Sequence, residues 1–110
     1  MSIRIAITDD HPLVIVGLKQ VLGLHPRMQV IAEFSSGTAL LEGIELAQPD
    51  ILLLDVQLPD IQGPELARTI SKKYPRTGIL ALTRLDNVFH ATPMLQHGCL
   101  GYLLKNSDPA

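Results

Sequence analysis

Short apolar runs alternate with longer stretches of mixed character along this chain. Ile3 to Ile7, Ile51 to Leu54, Gly78 to Leu82 and Gly101 to Leu104 are each of strand length and essentially continuous in apolar character. That is the pattern of strands buried on both faces of a parallel sheet. A fifth run, Gln29 to Phe34, is less hydrophobic. The intervening segments have helical spacing. Val14, Leu18, Val21 and Leu22 fall on one face, as do Leu40, Ile44 and Ala47, and then Leu66 and Ile70. Pro12, Gly37-Thr38 and Gly63-Pro64 open these three helices, and Gly23, Pro49 and Pro75 mark their exits or the loops beyond. A fourth helix, within Asn87 to His97, contains Thr92-Pro93 and is predicted to begin late, near Thr92, or to be kinked.

The order is therefore (βα)₄β, which predicts an α/β fold: a flavodoxin-like, doubly wound, five-stranded parallel sheet of order 2-1-3-4-5. A last helix is expected to cover strands 4 and 5. The final residues, Lys105-Asn-Ser-Asp-Pro-Ala110, offer only the cap and proline that would open it. Residues 1–110 are thus expected to be one domain lacking its C-terminal helix, a fragment of a longer protein.

At 110 residues, 46% hydrophobic and 18% charged, the chain suits a single folded domain and is too apolar for disorder. A net charge of -2, a pI near 6.0 and scattered Lys and Arg give this chain no basic surface for nucleic acid or anionic membrane. No apolar run approaches a membrane span, and the N-terminus lacks the layout of a signal peptide. The lone Cys99 excludes an internal disulfide and suits a reducing, cytoplasmic setting, where it serves as a small core residue.

In sheets of this kind ligands bind beyond the carboxyl ends of the strands. Strand 1 ends in Asp9-Asp10, strand 3 in Asp55, strand 4 in Thr83 and strand 5 just before Lys105. Three converging carboxylates repel one another and call for a cation; Mg²⁺, a hard ion that keeps several waters, suits a site with few protein ligands. The Lys105 ammonium and Thr83 hydroxyl add groups that bind a phosphoryl anion, with Asp55 as nucleophile. Singly, each feature has an ordinary explanation: a loop acid, a solvated lysine, a helix-capping threonine. The conjunction of five such residues at strand ends is what carries the chemistry.

The segments "TDDHPLVIVGLKQVL", "ILLLDVQLPDIQGPEL", "ALT" and "GCLGYLLKN" resemble the receiver domain of bacterial two-component response regulators. "DDHPL", and "GYLLK" followed by a residue other than proline, resemble its NarL/FixJ branch, whose members usually carry a C-terminal LuxR-type helix-turn-helix. The resemblance implies that Asp55 is the phosphoacceptor for a sensor histidine kinase or a small acyl phosphate. Asp10 would ligate Mg²⁺ directly, Asp9 mainly through water, and Asp55 and the Gln57 backbone carbonyl would complete the protein ligands. Thr83 and Lys105 would bind the phosphoryl oxygens, and Thr83 with Tyr102 would form the switch read out on the α4-β5-α5 face. Such a domain is a signalling module, not an enzyme beyond self-phosphorylation and autodephosphorylation. Its partners would be the kinase, a second copy in a homodimer left open by the sequence, and DNA only through a C-terminal domain.

This sequence departs from the family at three places. Arg84 follows Thr83 where a small residue is usual, so it either gates the crevice, binds the phosphoryl group or points to solvent. Pro93 alters the output helix, and Asn106 replaces a frequent proline. His11, His25, His90 and His97 lack metal-ligand spacing; His11 is expected to serve mainly helix entry, with modulation of the adjacent acidic pair as the alternative. Two rival readings remain. A haloacid-dehalogenase-like phosphatase needs Asp-x-Asp, whereas Asp55-Val56-Gln57 lacks the second carboxylate. A non-phosphorylated pseudo-receiver is the other, kept alive by Arg84. No Gly-rich loop follows strand 1, which excludes a dinucleotide or P-loop site.

Overall fold

The computed structural model describes residues 2–84 and 91–105. Its elements run β1 (Ile3–Thr8), α1 (Pro12–Leu22), β2 (Met28–Phe34), α2 (Gly37–Ala47), β3 (Ile51–Asp55), α3 (Gly63–Lys73), β4 (Gly78–Thr83), α4 (Ala91–Gln96) and β5 (Cys99–Leu104). All strand pairings are parallel and the order is β2-β1-β3-β4-β5, as the alternation predicts.

The two faces of the sheet bury separate cores. On one, Ala6, Leu52, Leu54, Ile79 and Ala81 pack against Leu40 and Ile44 of α2, Leu66 and Ile70 of α3, and Met94 of α4. On the other, Ile5, Ile7, Leu53 and Leu82 meet α1 through Ile15, with Leu18 and Leu22 beside it. The predicted face of α1 needs correction: Ile15 is its buried residue, whereas Val21 is exposed. Leu13 to Val16 are all apolar, so spacing alone does not reveal which side faces the sheet.

β5 also departs from expectation. It extends back to Cys99, and it is not buried on both faces: Leu100 is 72% exposed and Tyr102 44%. It is the edge strand that the predicted order makes it, hydrogen-bonded to β4 alone. Leu103, in register with Leu82, lies on the face that, among the described residues, only α1 covers. A register shift between Ile79 and Leu80 skips Leu100 in the pairing.

Pro93 lies within the described part of α4, Ala91–Gln96. The expectation for Asn87 to His90 lies outside the described residues. Two glycines are required by space. A Cβ on Gly63 would stand 2.6 Å from the Val56 carbonyl oxygen, because α3 starts directly against the end of β3. Gly98 turns the chain from α4 into β5 at φ +103°, a left-handed conformation that favours glycine.

Candidate functional site

Each chemical group is delivered by a strand end whose hydrogen bonding runs one step past the strand. Asp9 N–H donates to Phe34 O at 3.0 Å, Val56 N–H to Leu82 O at 3.0 Å, and Lys105 N–H to Thr83 O at 2.7 Å. These bonds fix the backbone at the crevice. Asp9, Asp55 and Thr83 are buried. Lys105 Nζ lies 2.8 Å from Asp9 Oδ2 and 2.9 Å from Asp55 Oδ1, with its side chain almost wholly covered.

One ammonium thus faces two buried carboxylates, with the partly exposed Asp10 beside them. Burial pushes the Asp55 carboxyl above its ordinary value and the Asp9 charge adds to this; the Gln57 N–H, donating to Asp55 Oδ1 at 3.0 Å, and Lys105 oppose it. Burial on its own would lower the Lys105 pKa, but its bonds to Asp9 and Asp55 outweigh it and the net direction is upward. Asp55 Oδ2 is buried without a hydrogen-bond partner. An orphaned carboxylate oxygen is costly unless something positive meets it. Asp9, Asp10, His11 and Asp55 each offer a ligand atom, all within 4.8 Å of one another. The three carboxylates of this set fit a hard divalent cation.

A cavity of about 140 Å³ opens over Asp55, lined by His11, Val56, Gln57, Thr83, Arg84 and Lys105. A buried carboxylate, an ammonium and a hydroxyl in so small a space suit a phosphoryl group better than a larger ligand.

Comparison with known proteins agrees with this geometry. The family model described as the response regulator receiver domain matches residues 5–110. The chain belongs to the response regulator receiver family. It is 36% identical over 107 residues to the transcriptional regulatory protein DegU of Brevibacillus brevis, covering 97% of this chain and 45% of that protein. It is 35% identical over 105 residues to the oxygen regulatory protein NreC of Staphylococcus epidermidis, covering 94% and 48%. The signal receiver domain of NarL from Mycobacterium tuberculosis superposes with a TM-score of 0.87 at 33% identity, over 97% of this chain and 86% of that one. The isolated receiver domain of RcsB from Salmonella enterica, determined with the phosphomimetic BeF₃⁻, gives 0.90 at 27% identity, over 99% and 81%. The chain spans about half the length of the curated relatives it matches. These relatives are NarL-, DegU- and NreC-type regulators, the branch that the sequence motifs resemble.

The receiver fold gathers Asp9, Asp10, Asp55, Thr83 and Lys105 at one sheet edge, with Gln57 and Arg84 in the cavity wall. The Thr83 hydroxyl donates to the Arg84 carbonyl at 3.2 Å. Tyr102 does not line the cavity. It is paired with Ala81, two residues before Thr83, and so shares the sheet face of Thr83 while its ring is half-exposed. Cys99 is buried, as expected, and burial pushes its thiol up to about 11, which makes it unreactive.

Two residues have more to do than the sequence suggests. His11 stands at the N-cap of α1 without a side-chain cap bond. Its Nδ1 instead sits 2.9 Å from Asp9 Oδ1 and 3.1 Å from Asp10 Oδ1. The available signal was its adjacency to the acidic pair. Asp60, in the β3–α3 loop, accepts from Gly37 N–H at 2.9 Å, Thr38 N–H at 2.8 Å and Thr38 Oγ1 at 2.6 Å. The Thr38 hydroxyl and the two amides hold its pKa well below the usual carboxylate range. It caps α2 from 22 residues away along the chain, which no local pattern announces.

Proposed function

We propose that this receiver domain is a phosphoacceptor and that Asp55 carries the phosphoryl group. The observation that supports this most is the Asp55 carboxylate itself. One oxygen is held by Gln57 N–H and Lys105 Nζ, and the other is buried and unpartnered beside a phosphoryl-sized cavity. In the reaction an Asp55 oxygen attacks phosphorus and forms an O–P bond. The P–N bond of a sensor kinase phosphohistidine, or the P–O bond of a small acyl phosphate, breaks. Its electron pair leaves on the imidazole nitrogen, which is then protonated by water, or on the departing carboxylate. Lys105 neutralises charge on the phosphoryl oxygens and Thr83 donates to one of them. Mg²⁺, with Asp10 as direct ligand, Asp9 through water, and Asp55 and the Gln57 carbonyl completing the set, would offset the carboxylate charges and those of the phosphoryl group.

Phosphorylation then shifts a two-state equilibrium. Thr83 turns toward the new anion and Tyr102 follows into the space vacated on the same face. The readout is the α4–β5 surface, a second copy of the chain, or a C-terminal DNA-binding domain of the kind expected from relatives twice as long, working in the cytoplasm. Gln57 leaves no second carboxylate for a phosphatase of the haloacid dehalogenase type. Arg84 in the cavity wall is the one feature that favours a pseudo-receiver, and we assign it instead to gating phosphodonor and water.

Backbone NMR of the chain with Mg²⁺ and beryllofluoride tests this reading. Thr83, Lys105 and Tyr102 resonances are expected to shift in the wild type and to stay in place in Asp55→Asn. An unresponsive wild type would support the pseudo-receiver instead.

A further inference from the structure

The acidic crevice contains a nitrogen donor that the phosphoacceptor reading does not use. His11 follows Asp10 directly, and its backbone is extended, at φ −105° and ψ 105°, just before Pro12 begins α1. Its own N–H donates to Asp9 Oδ1 at 2.8 Å. That bond and the fixed φ of Pro12 hold the residue against the carboxylates and keep the imidazole on their side. The Nδ1 distances, 2.9 Å to Asp9 Oδ1 and 3.1 Å to Asp10 Oδ1, have a geometric meaning. Around a six-coordinate ion with bonds of about 2.1 Å, neighbouring ligand atoms stand about 3.0 Å apart. Nδ1 is hydrogen-bonded to Asp9 Oδ1, and its distance to Asp10 Oδ1 is that of a neighbouring ligand on the same small cation. An independent sign that a cation belongs here is the buried, unpartnered Asp55 Oδ2 in the same cluster.

We propose that His11 Nδ1 is a metal ligand, making this crevice a mixed nitrogen and oxygen site that favours a borderline first-row divalent cation over Mg²⁺. Imidazole adds little to the binding of Mg²⁺, which prefers carboxylate, carbonyl and water. It adds much to Co²⁺, Ni²⁺ and Zn²⁺. Asp9 Oδ1 can accept from the His11 N–H with one lone pair and meet the cation, through water, with the other. His11 is 60% exposed, so a hydrated ion can reach Nδ1 from solvent without rearrangement of the core. The inference rests on the reading that this crevice holds a divalent cation, and it sets which cations that site discriminates.

The test is calorimetric titration of the whole chain with Ni²⁺ and, separately, Mg²⁺, in wild type and His11→Gln. Co²⁺ absorption in the visible gives a second readout of nitrogen ligation. The ratio of Ni²⁺ to Mg²⁺ affinity is expected to fall by about tenfold or more in His11→Gln, with Mg²⁺ affinity nearly unchanged. The Co²⁺ band is expected to move as nitrogen is replaced by oxygen. An unchanged ratio overturns the proposal, as does an equal loss for both metals, which is what a mere helix-entry role gives. A fall in the ratio in His25→Gln that matches that in His11→Gln also overturns it, since the nickel would then be bound by surface imidazole. Mg²⁺ binding with an unmoved ratio removes only the His11 ligand, whereas failure of every metal to bind removes the cation site as well.

Discussion

Lys105 at the end of β5 reaches past β4 to Asp55 at the end of β3, with Nζ 2.9 Å from Asp55 Oδ1 and 2.8 Å from Asp9 Oδ2. One side chain thereby links the ends of three strands, and it is the counter-charge for two buried acids. Replacing it with methionine keeps the volume and strips the charge. Lys105→Met is expected to lose on the order of 3 kcal/mol of stability in urea unfolding at neutral pH, because two carboxylates are left uncompensated. The pH dependence has a definite sign. Because the Lys105 pKa is raised from 10.5 in the folded protein, its contribution is complete below 10.5 and disappears as pH rises through the folded value. Wild type and variant should therefore converge only in strong alkali.

Asp60 gives the opposite dependence. Its pKa is lowered from 3.8 by the Thr38 hydroxyl and the amides of Thr38 and Gly37, so it stabilises the fold above 3.8. That contribution falls away as pH drops below 3.8 toward the folded value. Asp60→Ala should lower the thermal midpoint at neutral pH, and the difference from wild type should shrink in acid. A difference that is constant with pH would mean that the carboxylate charge is not what holds the loop to α2.

Gly63 sets the distance between α3 and the crevice. With the Val56 carbonyl oxygen 2.6 Å and its Cα 2.9 Å from the position of a Cβ, Gly63→Ala must push helix or strand aside. Overpacking against backbone is expected to remove about 1–3 kcal/mol, measurable by denaturant unfolding. Amide shifts should extend to Asp55 and Gln57, which the Val56 backbone joins.

Arg84 lines the cavity over Asp55, and its side chain is the largest in that wall. If it gates the crevice, Arg84→Ala should speed both self-phosphorylation by an acyl phosphate and autodephosphorylation, by several-fold. Rates equal to wild type in both directions would remove Arg84 from the account.

Much of this was legible in the sequence because two periodicities and a few breakers specify it. Unalternating apolar runs mark Ile51 to Leu54 and Gly78 to Leu82 as central strands, and strand ends in a parallel sheet dictate where Asp9, Asp55, Thr83 and Lys105 must meet. What escaped was set by space and not by pattern. α1 is apolar nearly all round, so only packing against Ile5 and Ile7 reveals Ile15 as its buried residue. The predicted order sets β5 at the sheet edge, but its apolar run reads as buried on both faces, which the exposed Leu100 and Tyr102 contradict. Asp60 meets Thr38 only after three elements have folded between chain-distant loops, and His11 reads as a cap residue until its ring is seen between two carboxylates.

The central claim is that Asp55 accepts a phosphoryl group, and intact mass measurement after incubation with Mg²⁺ and acetyl phosphate tests it most directly. The wild type should gain the mass of one phosphoryl group, lost again in alkali as an acyl phosphate is, while Asp55→Asn gains none. A wild type that stays unmodified, or an adduct that persists in Asp55→Asn, would contradict it.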